Sequence, residues 1–72
     1  MADTGIRRKL GKRIKELRTK RGFTQEKLSE ISDVNYKYLQ RIEGKDPPAV
    51  KIDTIERLAK ALKVKPADLL RF

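Results

Sequence analysis

Apolar residues recur along this chain at helical spacing, in runs separated by glycine, proline or a short polar break. In the first run Ile6, Leu10, Ile14 and Leu17 stand four, four and three residues apart, one narrow apolar stripe on a helix predicted from about Thr4 to Lys20. Gly22 suits the position just past that helix's end. Gly11, inside it, costs roughly 1 kcal/mol relative to alanine and leaves room for a close approach by the fourth or fifth helix. Residues 24–43, TQEKLSEISDVNYKYLQRIE, predict two short helices joined by a tight turn. Leu28 and Ile31 share a face, and after a break at Ser32-Asp33 the spacing resumes with Val34, Leu39 and Ile42. Thr24 and Asn35 are N-cap types, framed by the apolar pairs Phe23/Leu28 and Val34/Leu39, so each helix start is signalled twice. Asp33 stands where the chain reverses and tolerates a left-handed conformation better than most residues. Gly44 and Pro47-Pro48 predict a loop, followed by a helix from about Ile52 to Lys63 that buries Ile52, Ile55, Leu58, Ala59 and Leu62. Pro66 fits the first position of a last short helix carrying Ala67, Leu69 and Leu70. The pattern is that of an all-α, compact five-helix bundle.

A chain of 72 residues points to one domain, 1–72, without a deep catalytic cleft; so short a chain buries only about 60% of its unfolded surface. Cysteine is absent, so stability rests on helix packing rather than disulfides or thiolate metal sites, which favours the cytoplasm. No apolar run is long enough for a signal peptide or a membrane span, and no membrane association is expected. Histidine is absent too, which removes most general bases, nucleophiles and soft metal ligands. The ten carboxylates sit at ordinary helix-surface spacing from basic neighbours, as in Glu16 with Lys20, and the four glycines lie too far apart for a phosphate-cradling loop. The expectation is a protein that is not an enzyme and uses no cofactor or metal.

Charge adds a partner class. Nineteen Lys and Arg against ten Asp and Glu give a net charge of +9, which suggests a polyanion. Residues 1–22 carry nine basic and two acidic side chains (+7), residues 23–46 four and five (−1), and residues 47–72 six and three (+3). The pair of short helices is thus nearly neutral, and non-specific attraction to phosphate falls largely to the first helix and the tail. A basic amphipathic first helix could also lie on an anionic membrane or enter a calmodulin-like groove, and a basic surface could merely be solvated. The first helix leads straight through Gly22 into a second cappable helix, however, as in a folded bundle.

TQEKLSEISDV followed by NYKYLQRIEGK resembles the phage repressor/Cro-type (XRE-like) helix-turn-helix family, and the flanking helices extend the resemblance from about Ile6 to Leu70. The matching positions are Arg18, Gly22, Thr24-Gln25, Leu28, Ser32, Val34, Tyr38, Leu39, Ile42-Glu43 and Leu58 to Leu62. The chain departs from the pattern at Ser29, where alanine is usual, at Asp33, where glycine is usual, and at Lys27, where an acidic residue would complete a capping box with Thr24. The segment after Glu43 is one residue longer than usual.

The resemblance implies a sequence-specific reader of double-stranded DNA whose second short helix enters the major groove by its N-terminal end. Positions 34, 39 and 42 pack inward, leaving Asn35, Tyr36, Lys37 and Gln40 outward as candidates for base contact. Lys37 can donate to guanine, Gln40 can bridge adenine, and the Tyr36 ring can pack on a thymine methyl or a sugar. For phosphate the candidates are Thr24 and Gln25 at a helix start, with Lys27, Tyr38, Arg41 and Lys45. The resemblance makes Gln25 a backbone clamp and Tyr38 a phosphate contact, although Tyr38 equally suits a core-edge aromatic. It also makes Arg18 and Glu43 a structural ion pair between the first and third helices. The function so implied is a transcriptional repressor or autoregulator that occludes a promoter. One short reading helix spans few base pairs, so a homodimer on a pseudo-palindromic operator is expected, joined through Leu69, Leu70 and Phe72, with Val64. Two alternatives stay open: an antitoxin- or coactivator-like module that grips a protein such as a toxin, and non-specific nucleic-acid binding through the +9 charge.

Overall fold

A computed structural model describes residues 5–72. They form α1 (Gly5–Lys20), α2 (Gln25–Ser32), α3 (Tyr36–Ile42), α4 (Ile52–Ala61) and α5 (Pro66–Leu69), with no strand among them. The expected start of α1 at Thr4 lies outside the described residues. α2 packs on α3 and α4, α4 on α5, and α1 closes the bundle against α3 and α5. One core results, from Leu10 and Ile14 of α1, Leu28 of α2, Val34 of the turn, Leu39 and Ile42 of α3, Leu58 and Ala59 of α4, then Leu62 and Leu69.

Local rules set the joints. α1 is closed off by Gly22, two residues past its end, whose φ of 72° lets Phe23 N–H reach back to the Arg18 carbonyl at 3.0 Å. Thr24 Oγ1 accepts from Lys27 N–H at 3.0 Å to start α2, and Asn35 Oδ1 accepts from Tyr38 N–H at 3.1 Å to start α3. Between them Asp33 takes the left-handed conformation, φ 59° and ψ 31°. Two serines brace this turn. Ser32 Oγ donates to the Leu28 carbonyl and accepts from Val34 N–H, and Ser29 Oγ donates to the Val34 carbonyl at 2.5 Å.

The apolar stripes are shorter than periodicity predicts. Ile52 is 82% exposed and Ile6 58% exposed, because both stand in a first turn. Side chains lean toward a helix's N-terminus and there project past the neighbouring elements. Ile31 is exposed as well; Ser32, four residues after Leu28, takes the inward position instead. α4 stops before Lys63, which adopts a left-handed φ of 57° so that Val64 N–H closes on the Ala59 carbonyl. Gly11 does face a close neighbour, but the neighbour is α3 rather than α4 or α5: a Cβ there would run into the Ile42 carbonyl oxygen. Leu69, expected at a dimer contact, is wholly buried in the core.

Candidate nucleic-acid interface

The end of α3 is fixed to the rest of the molecule by one polar cluster. Arg18 Nε and Nη2 donate to the two carboxylate oxygens of Glu43, each at 2.9 Å, and Nη1 donates to the Phe23 carbonyl at 2.7 Å. The fork meets the carboxylate in bidentate geometry, so the angle between α1 and α3 is held as well as the distance. Glu43 is 2% exposed in its side chain, and its Oε1 also accepts from Gln25 Nε2 at 3.0 Å. The first residue of α2, the last turn of α3 and the C-terminal turn of α1 therefore share one buried carboxylate. A second arginine works at the far side: Arg13 Nε donates to the Asp68 carbonyl at 2.8 Å and ties α1 to α5. The sequence marks Arg13 only as one more basic residue on a polar face, and no local spacing links it to a residue 55 positions away.

On that frame α3 presents its N-terminal half. Asn35, Tyr36, Lys37 and Gln40 are all exposed, as is Arg41. The side chains of Tyr36, Lys37, Gln40 and Arg41 make no hydrogen bond or ion pair within the described residues, so their donors and acceptors are available to a ligand. Asn35 spends its carbonyl oxygen on the cap and keeps its amide nitrogen. A helix about 10–12 Å across with its side chains fits the roughly 12 Å width of a major groove.

The expected phosphate contacts divide into two sorts. Arg41 and Lys45 are exposed and unengaged within the described residues. The other four already hold partners. Thr24 is committed to its cap, Lys27 Nζ lies 3.3 Å from Glu30, and Gln25 has one amide hydrogen on Glu43 and one left over. Tyr38 Oη donates to the Ala49 carbonyl at 2.9 Å, which makes it a tether of the loop between α3 and α4. A phosphate bond from that hydroxyl would require giving up the tether.

The profile of the Cro/C1-type helix-turn-helix DNA-binding domain matches residues 13–72. This chain belongs to that family. The control protein C.BamHI of Bacillus amyloliquefaciens is 38% identical over 68 residues, spanning 93% of this chain and 83% of that protein. Among solved structures, the restriction-modification controller protein C.AhdI of Aeromonas hydrophila superposes with a TM-score of 0.82 at 35% identity, covering 88% of this chain and 94% of that one. The hypothetical transcription factor NHTF of Neisseria gives 0.86 at 25% identity, covering 99% and 82%. The protein is a DNA-binding transcriptional regulator of the helix-turn-helix kind, and its family is not one of enzymes. No described helix is long and apolar enough to cross a membrane.

Proposed function

We propose that this protein is a homodimeric repressor or autoregulator of the restriction-modification controller type, acting in the cytoplasm by covering a pseudo-palindromic promoter site. The observation that carries the reading is α3: an outward face of Asn35, Tyr36, Lys37 and Gln40, unoccupied except for the Asn35 cap, on a frame locked by the buried Arg18–Glu43 pair. Rigid placement of base-reading groups is what sequence discrimination needs, because a misplaced donor leaves a base edge unpaired. The control functions named for C.BamHI and C.AhdI support the controller type. In this reading Lys37 and Gln40 contact bases, Tyr36 and Asn35 assist them, and Gln25, Arg41 and Lys45 hold phosphates, with Thr24, Lys27 and Tyr38 in secondary roles.

The dimer is the second part of the proposal. Leu69 is in the core and Phe72 lies over α1, where Lys9 Nζ sits 5.7 Å from its ring centre. Leu70 and Ile6 line a shallow groove to which Val50 and Ile55 also contribute, and Ile52 and Phe72 are further exposed apolar side chains. A symmetric contact between two copies would cover these side chains and set two copies of α3 about one helical turn, roughly 34 Å, apart. Selection of bound sequences from a random duplex pool tests the whole reading. A symmetric enriched motif is expected, no enriched motif would sink it, and a co-purifying protein that blocks DNA would favour the antitoxin alternative.

A further inference from the structure

We infer that the cleft between α1 and the end of α3 is a second phosphate track for duplex DNA, formed by Arg8, Lys12 and Lys15 of α1 with Lys45 across from them. The inference rests on the function proposed above and extends it to residues outside the helix-turn-helix. The cleft encloses about 730 Å³, is open to solvent, and has Gly11 and Gly44 in its lining. Because Gly11 lacks a Cβ, the Ile42 carbonyl settles directly on α1, and the close crossing brings Lys45 beside the α1 cations.

Its charge is one-sided. All four cations are exposed, and none has an ion-pair partner among the described residues. Of the other α1 cations, Arg13 and Arg18 are consumed by the fold, Lys9 lies over Phe72, and Arg7 and Lys20 do not line the cleft. Glu43 is the one acidic residue lining the cleft, and its carboxylate is taken up by Arg18 and Gln25. Four like charges gathered without compensation repel one another, an arrangement that a bound polyanion relieves.

The shape selects a nucleic-acid backbone. Arg8, Lys12 and Lys15 stand at i, i+4 and i+7, hence on one face of α1 and about 10 Å from end to end, against one phosphate per roughly 3.4 Å along each strand of a duplex. The track also starts where the proposed reader ends. Glu43 both lines the cleft and accepts from Gln25, so the first residue of α2 stands one hydrogen bond from the cleft wall. It lies at the C-terminal end of α3, whereas the base-reading face is at the N-terminal end, which assigns the track to phosphates flanking the half-site.

The test compares three proteins on two 40-base-pair duplexes, one with a random sequence and one recovered by selection, across a salt series. The first protein is wild type, the second carries Arg8→Gln, Lys12→Gln and Lys15→Gln, and the third carries Lys51→Gln, Arg57→Gln and Lys60→Gln, the same charge removed from exposed positions around α4. The α1 variant is expected to bind both duplexes roughly tenfold or more weakly at physiological salt, and its log–log salt slope to fall by about two to three per protomer. Its base preference should stay unchanged, and the α4 variant should lose far less. Lys12→Arg with Lys15→Arg should keep the full slope. Thermal melts establish that each variant folds, and Lys12→Gln alone, with an expected slope loss of about one, stands in should the triple variant fail to fold. Equal slopes for the α1 and α4 variants overturn the track while leaving the reader intact, as does an equal loss on single-stranded RNA of the same length. Absence of duplex binding by wild type overturns the proposed function, and the track with it.

Discussion

Two residues carry most of the geometry relative to their size. Glu43 serves Arg18 and Gln25 at once, and removing it strands a guanidinium that is only 12% exposed. Breaking one side of a buried pair is far more costly than its net contribution, so Glu43→Ala should destabilise the fold by about 3 kcal/mol in chemical denaturation. An unfolding midpoint equal to wild type would mean that the pair does not hold α1 to α3. Gly11 makes the opposite kind of case. Helix propensity alone says that Gly11→Ala gains roughly 1 kcal/mol. The added Cβ meets a backbone oxygen that cannot rotate away, and overpacking of this kind typically costs about 1–3 kcal/mol, so a net loss is expected. A more stable Gly11→Ala variant, measured in the same way, would show that α1 and α3 separate cheaply.

Among the elements, those specified by local chemistry were legible in the sequence. Thr24, Asn35 and Asp33 act on backbone groups within three residues of themselves, so their identities alone place two helix starts and a reversal, and the structure has all three there. Long-range features were not legible. Periodicity defines the inward face of an indefinitely long helix but not where its neighbour ends, which is why Ile6 and Ile52 fit the pattern yet face solvent. The serines of the turn show the same limit: nothing in the spacing reveals that Ser32 is buried and bonds both sides of the reversal. Its hydroxyl stands between a helix carbonyl and the Val34 amide, so Ser32→Ala should cost about 1–2 kcal/mol, whereas a cost near zero would mean that Asp33 and the apolar pairs hold the turn unaided. In the candidate interface the outward face of α3 could be read from position, while the partners of Gln25 and Tyr38 could not, since they lie 18 and 11 residues away.

For the molecule as a whole, the exposed apolar side chains bear on how two copies would meet. If Leu70, Ile6 and Ile52 join two copies, then Ile52→Glu with Leu70→Glu should shift sedimentation at micromolar concentration from dimer to monomer without lowering helix content. Operator affinity should fall with it, because each half-site contact then forms alone. Wild-type protein that sediments as a monomer, or a double variant that stays dimeric, would place the contact elsewhere. The central claim, that the N-terminal face of α3 reads base pairs, is tested most directly by titrating wild type, Lys37→Ala and Gln40→Ala against a selected operator and a random duplex in one buffer. Each substitution should weaken operator binding by roughly 1–3 kcal/mol, relax preference at one base pair, and leave random-duplex binding nearly unchanged. Equal losses on operator and random duplex would contradict the claim.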